Sequence, residues 1–303
     1  MIHAFALEPE LVATWGNKSD YRYFIDKFGL GTPRLALEYP RTHKWKSRVL
    51  RAAESVGDME LQRVTALVGL LTERMVKFAP EQPLDGNFTW LENAEREKIA
   101  RIIARDNPRN NSSVLIASSL GEMDNPQWDL KQGIPVKRTA REMASSIYSL
   151  LSASSEIVFV DPHFGIENPR YSRPFEAFLK AIPHGRRTPV QRIIVMTSAT
   201  NVRFSFFKSE CEEKIPRITP RGFQVTCMRL SDAQRPEKLH NRYILTDIGG
   251  VQFATGLDEG KEGETDDVTI LSRAQYELRW AQYAGDNLAF DVVDPPVVVI
   301  GRA

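Results

Sequence analysis

The carboxy-terminal part of this 303-residue chain predicts an α/β architecture built on a largely parallel but mixed sheet. Three observations carry that expectation. Short apolar runs alternate with stretches of helical periodicity, one of those runs ends in Asp-Pro, and a Gly-Gly pair separates two β-like segments. Ahead of this part, apolar residues recur at helical spacing. A mainly helical domain over residues 1–130 is therefore expected to precede an α/β domain over 131–303, with Lys131-Gln132-Gly133-Ile134-Pro135 at the boundary.

Met1 to Pro33 holds Trp15, Tyr21, Tyr23, Phe24 and Phe28 with no clean period, and no role follows from it. Trp45, Val49, Ala52 and Val56 then recur at helical spacing, and Gly57-Asp58 marks a stop and a new cap. Leu61, Val64, Val68, Leu71, Met75 and Phe78 follow with gaps of three and four, a strong amphipathic pattern. A third helix is expected from Leu91 to Ala104 with Ile99, Ile102 and Ile103 inward, ended by the breaker-rich Asn107-Pro108-Arg109-Asn110-Asn111. Val114 to Ala117 reads as one strand and Asp124-Asn125-Pro126 as a turn. The helical stripes serve either an ordinary core or a surface for a protein partner.

Beyond the boundary, Thr139 to Leu151 places Met143, Ile147 and Leu150 at helical spacing. Glu156 to Phe164 is the apolar run that ends in Asp161-Pro162, as a buried parallel strand would. Phe175, Phe178, Leu179 and Ile182 share one face of a helix over Tyr171 to Ile182. A strand over Val190 to Met196, a helix over Phe206 to Ile215 and a strand over Phe223 to Leu230 complete the alternation. Leu239, Tyr243 and Leu245 alternate with polar or small neighbours, so this segment reads as a strand. Gly249-Gly250 is its hairpin turn and Val251 to Thr255 the returning strand.

On such a strand residues two apart share a face, which sets the imidazole of His240 beside the guanidinium of Arg242. A proton carrier or nucleophile next to a permanent cation suits phosphate binding and phosphodiester chemistry. The polar face of a half-exposed strand carries the same pair without any function. With Asp247 the two residues form an H-x-R-x4-D array.

That array resembles the motif of the phospholipase D superfamily, H-x-K-x4-D followed about six residues later by G-S-x-N. His240, Asp247 and the spacing match, and Ala254-Thr255 stand where Gly-Ser would. Arg242 replaces the lysine and Leu257 the asparagine. The form HNR…TD…GLD is similar to the phospholipase-D-like carboxy-terminal domain of MIT-domain proteins, a binding module for acidic phospholipids. The resemblance covers residues 134–303 and implies a phospholipase-D-like mixed sheet flanked by helices. It implies catalytic roles for His240, Arg242 and Asp247, phosphate contacts from His240, Arg242 and Thr255, and accessory roles for Asp161, His163 and Asp258. Asp161-Pro162-His163 resembles the D-P-Y end of the superfamily's first strand, and Asp161 and His163 read either as residues of that turn or as part of the site.

The superfamily's chemistry uses two histidines, one attacking phosphorus and one protonating the leaving oxygen, with no metal and no other cofactor. This chain has five histidines. His43, His163 and His184 lack the partner at the right offset, which leaves His240 as the motif histidine. A complete site then requires a homodimer that joins two His240 residues across a twofold axis.

Composition sets wider bounds. With 42% hydrophobic and 26% charged residues the chain is ordinary for a soluble, cytoplasmic protein with sizeable cores. A net charge of +1 gives no whole-molecule attraction to nucleic acid or acidic membrane. No apolar segment is long enough to span a bilayer. Cys211 and Cys227 make neither a disulfide framework nor a zinc site and read as small buried residues. Residues 41–51 hold five Lys/Arg and no acid; Lys44, Arg48 and Arg51 line one helix face that is either solvated or set against phosphates. Lys137, Arg138, Arg141 and Arg186-Arg187 are smaller basic groups. Asp258 to Asp267 carries six acids against Lys261 and reads as a mobile acidic loop.

Three functions are compatible with these readings. One is a phosphate-binding module for lipid or nucleic acid, with the helical domain as adaptor. Another is a metal-independent phosphodiesterase, a nuclease active as a homodimer and suited to prokaryotic antiviral defence. The last is a structural subunit with an idle site.

Overall fold

Two sheets organise the chain, one in each of two compact units, Ile2–Lys131 and Gln132–Ala303 with Met1. The structure is a computed structural model that describes residues 1–121, 125–183 and 189–303. The expected turn at Asp124 and the expectations for His184 and Arg186-Arg187 lie outside the described residues.

The first unit runs β1 (His3–Leu7), α1 (Pro9–Thr14), α2 (Lys18–Phe24), β2 (Arg34–Ala36), α3 (Thr42–Ala52), α4 (Asp58–Glu73), α5 (Trp90–Arg96), β3 (Ile102–Ala104) and β4 (Val114–Ile116). Helices outweigh strands, as the apolar stripes imply. Its centre is nonetheless a parallel sheet in the order β2-β1-β3-β4, of which only β4 stood out by pattern. The reason is burial: in β1 the last three residues are all covered, and a strand covered on both faces shows no alternation. Trp45 and Val49 of α3 and Val64, Leu67, Val68 and Leu71 of α4 enter one core with Phe5, Leu7 and Trp15. The Trp45 indole N–H donates to the Leu7 carbonyl at 2.8 Å, so the largest of these side chains buries without an orphaned polar group.

Two expected helices are shorter than the periodicity suggested. α4 ends at Glu73, because Val76 N–H donates to the Ala36 carbonyl and the chain extends beside β2, taking Met75 and Phe78 off the helix. The helix expected over Leu91 to Ala104 ends at Arg96; Lys98 is left-handed (φ 52°), and Ile102 and Ile103 belong to β3. The first 33 residues, patternless in sequence, supply the strand β1 that pairs with both β2 and β3.

The second unit runs β5 (Gly133–Lys137), α6 (Ala140–Ser146), α7 (Tyr148–Ala153), β6 (Glu156–Val160), α8 (Pro169–Lys180), β7 (Arg192–Ser198), α9 (Phe204–Ile218), β8 (Gln224–Ser231), β9 (Tyr243–Thr246), β10 (Gly249–Phe253), β11 (Thr265–Ile270), α10 (Arg273–Tyr283), β12 (Asp291–Val292) and β13 (Val297–Ile300). The nine strands form one mixed sheet in the order β12-β8-β7-β6-β9-β10-β11-β5, with β13 also on β8. β6, β7 and β8 are parallel, and β9 joins β6 antiparallel with Val160 opposite Tyr243. Phe175, Phe178 and Leu179 of α8 pack inward, with Phe159 of β6 edge-on to Phe175 at 5.3 Å. The α/β class and its mixed sheet are therefore present.

The hairpin differs from expectation in two respects. β9 begins at Tyr243, so His240 and Arg242 lie in the segment leading into it; all four β9 residues are buried, and alternation does not describe a strand covered on both faces. The turn is Asp247-Ile248, with Thr246 paired to Gly249, and Gly249-Gly250 begin β10. A Cβ at Gly250 would meet the Leu245 side chain at 2.9 Å and those of Leu271 and Tyr276 at 3.2 Å, so close approach of side chains selects this glycine. Gly250→Ala is expected to lower stability by about 1–3 kcal/mol, read from urea denaturation midpoints.

Candidate functional site

β6, β7 and β8 end at the same edge of the large sheet, and the chain enters β9 there. In open α/β sheets this carboxyl edge is where ligands bind. Asp161 follows β6 directly and is 1% exposed. Its Oδ1 accepts the backbone N–H of His163 at 2.8 Å, closing the Asp-Pro turn. Its Oδ2 accepts the backbone N–H of Leu257 at 2.8 Å, drawing in the loop that follows β10. Burial raises the Asp161 pKa; the two N–H donors and the charge of Arg242 oppose that rise, while Asp258 adds to it.

Arg242 immediately precedes β9, next to the register pair Val160 and Tyr243, which sets it across from Asp161. Its carbonyl accepts Phe253 N–H at 3.1 Å, so the backbone is fixed. Its side chain is half-buried, its buried Nε has no hydrogen-bond partner, and it joins no ion pair among the described residues. The Tyr171 hydroxyl lies in the same electrostatic environment: burial raises its pKa, with Asp161 and Asp258 adding and Arg170 and Arg242 opposing.

The remaining expected residues divide. His240 is exposed, and no hydrogen bond or ion pair orients it among the described residues. The His163 imidazole is exposed as well, and only its backbone N–H takes part in the turn. Thr255 is exposed and donates its N–H to Asp266 Oδ1 at 2.9 Å, which makes it part of the loop's frame. Asp247 sits at the far end of β9, about 17 Å along the chain from Arg242 at strand rise. There it accepts from Ser155 N–H (2.8 Å), Ser155 Oγ–H (2.6 Å) and Glu156 N–H (3.2 Å), pinning the start of β6. The length of β9 separates Asp247 from His240 and Arg242, so the structure does not bring the three expected residues together.

Asp258 is also a structural ion. Its carboxylate lies between Arg138 (2.7 Å) and Arg170 (2.5 Å), with the Asp258 and Arg138 side chains nearly buried. The acidic stretch that follows is tied into the fold by ion pairs, hydrogen bonds and a strand. Arg138 also pairs with Glu264 at 3.1 Å, Glu259 Oε1 accepts Ala140 N–H at 2.9 Å, and Thr265–Ile270 is β11, with Asp266 buried. The ion pairing of Arg138 and Arg170 escaped the sequence reading because their partners are 88 to 126 residues away. Among the described residues no group of three or more His, Cys, Asp or Glu side chains is arranged to hold a metal, and no helix is long and apolar enough to cross a membrane. Cys211 and Cys227 are free and buried; a hydrogen bond to Cys211, then burial, pushes the Cys227 thiol well up.

The edge thus presents an uncommitted guanidinium on a fixed backbone, an exposed imidazole two residues away, and a loop tied down by Asp161 and Asp258. Asp258→Asn removes the charge that compensates Arg138 and is expected to cost about 3 kcal/mol in denaturant unfolding. Asp161 gives a pH signature. A carboxyl whose folded pKa is raised favours the native state below the unfolded value of 3.8, and that contribution is lost as pH rises through the raised folded value. The stability of the native protein relative to Asp161→Asn is expected to fall across that window, measured as paired urea midpoints from pH 3.8 upward.

No family model matches the chain, and no curated protein matches it. Among solved structures, a match is the archaeal chromatin protein TrmBL2, whose structure shows a novel mode of DNA binding. The alignment has 12% identity and a TM-score of 0.27 and covers 50% of this chain and 50% of that one, so this chain spans half that protein's length. A likeness at that level carries neither fold nor function across.

Proposed function

We propose that the second unit is a phosphate-binding module of phospholipase-D-like type, holding a phosphate or phosphodiester group of a lipid or nucleic acid at the carboxyl edge of its sheet. The observation that carries this reading is Arg242: a half-buried guanidinium whose Nε is unpartnered and which no carboxylate pairs directly among the described residues. A cation so placed is stabilised by an incoming anion, and a guanidinium holds a phosphoryl group in two-pronged fashion. His240, two residues before it, adds a donor at the rim. The H-x-R-x4-D spacing gives Asp247 the task of anchoring the strand that presents both.

Binding is favoured over hydrolysis by the state of His240. A nucleophilic or proton-transferring imidazole works within hydrogen-bond reach of a group that orients it. His240 has no such bond. The phosphodiesterase reading requires a twofold partner to complete the site, and a nuclease or defence role follows only from that reading.

The test is anion binding and turnover in excess EDTA, for wild type, His240→Ala and Arg242→Ala, with solution mass determined for each. The substrates are a chromogenic phosphodiester, single- and double-stranded DNA, RNA and acidic phospholipid vesicles. The expected result is no cleavage, binding of a phosphate-bearing ligand, and about tenfold or more weaker binding in Arg242→Ala. EDTA-resistant cleavage by a dimer, abolished in His240→Ala, would replace this reading with the phosphodiesterase. Unchanged binding in both variants would sink both readings and leave an idle site.

A further inference from the structure

A second group of cations lies in the first unit and has no part in the site above. His3 opens β1, and Arg34 opens β2 as its register partner on the neighbouring parallel strand. Arg101 comes immediately before β3, on the other side of β1, where Ile102 pairs with Ala6. Three cationic or potentially cationic side chains thus gather at the amino-terminal ends of three adjacent strands.

Among the described residues their surroundings are aromatic, with one exposed acid, Asp129, acting on Arg34. The Arg34 guanidinium lies 4.2 Å from the centre of the Trp128 ring and donates through Nη2 to the Trp128 carbonyl. The Arg101 guanidinium lies 5.6 Å from the centre of the Phe5 ring and donates through Nη1 to the Gln127 carbonyl at 2.8 Å. Phe5, Phe28 and Trp128 pack on one another with centroids 5.8 to 6.0 Å apart. Arg34 is 8% exposed and its Nε has no partner. Neither arginine enters an ion pair among the described residues. Among the described residues the carboxylate whose charge reaches Arg34 is exposed Asp129, with the Tyr23 hydroxyl also acting on it, and burial lowers the Arg101 pKa.

Buried or half-buried guanidiniums are normally paired, because removing an uncompensated charge from water costs several kcal/mol. Ring faces and two carbonyls recover part of that through cation–π and charge-assisted contacts but leave the positive charge in place. His3 registers the same excess. Burial first, then the charges of Arg101 and Arg34, lower its pKa to about 4, so its ring is neutral where the two arginines stay charged. We propose that His3, Arg34 and Arg101 form an oxyanion site that takes a phosphate group. Phosphate suits it better than a carboxylate because its tetrahedral set of oxygens can accept from two guanidiniums at once, where a carboxylate offers two oxygens in one plane. This site is independent of the Arg242 site and stands if that one fails.

The experiment uses the full chain and inorganic phosphate, with acetate and chloride at matched ionic strength. The unfolding temperature is followed for wild type, Arg101→Gln and the double variant His240→Ala/Arg242→Ala, and the His3 ring proton is followed by NMR on the wild type. Phosphate is expected to raise the unfolding temperature saturably in the wild type and the double variant. Arg101→Gln should need about tenfold or more phosphate for the same effect. The midpoint of His3 should move upward from about 4 when phosphate is bound. Equal responses to phosphate and acetate would overturn the proposal, as would an unaltered response in Arg101→Gln or a His3 midpoint indifferent to phosphate. A phosphate effect that vanishes in the double variant would place the ion at Arg242 and overturn it too. If Arg101→Gln does not fold, the His3 midpoint decides alone.

Discussion

The carboxyl edge of the large sheet depends on one buried carboxylate. Asp161 is bonded through one oxygen to its own turn and through the other to Leu257, 96 residues further on. That second bond draws the loop after β10 against the end of β6, close enough that a Cβ at Gly256 would lie 2.5 Å from Asp258 Oδ1 and 3.5 Å from Asp161 Oδ2. Asp258 then reaches Arg138 and Arg170, so the position of the loop is specified twice, once by backbone donors and once by ions. Arg242 borders this arrangement without being consumed by it. An acid saturated by peptide N–H groups beside an arginine that lacks a partner separates support from ligand: the carboxylate holds the protein and leaves the guanidinium available.

Much of the α/β class was legible because helices and strands differ in period and because β6, β7 and β8 form apolar runs of the right length. α8 and α9 were placed within a few residues for the same reason. β1 was not legible. A five-residue strand whose later residues are all covered carries no alternation, and its neighbours were read as aromatics without order. Ile102 and Ile103 were assigned to a helix because isoleucines three and four residues from an earlier apolar position satisfy helical spacing. The left-handed Lys98 that breaks the helix has no marker in its residue type.

At the candidate site, the sequence singles out the segment around His240 and Arg242 but does not report the contacts its members make. His240 and Arg242 were set on a strand that begins only at Tyr243, and Gly249-Gly250 were given a turn made by Asp247-Ile248. Local pattern reports which residues are near one another along the chain. It does not report Arg138, which meets Asp258 across 120 positions, or Ser155, which meets Asp247 across 92. The acidic run from 258 to 267 shows the same limit, because charge density alone resembles a solvated loop until the arginines that neutralise it are brought in by the fold.

Asp247 and Arg242 stand at opposite ends of β9, and β9 pairs along its whole length with β6. Asp247 holds the first residue of β6, while Arg242 lies beside the residue that follows its last. The four positions between them are therefore a ruler cut to the length of the neighbouring strand. The backbone pairing of β9 with β6 does not depend on which side chains stand at its two ends. The interval is not free, since one residue more or fewer would turn every β9 side chain to the opposite face. The interval from Arg242 to Asp247 is thus accounted for by the architecture of two paired strands, before any activity at its ends is invoked.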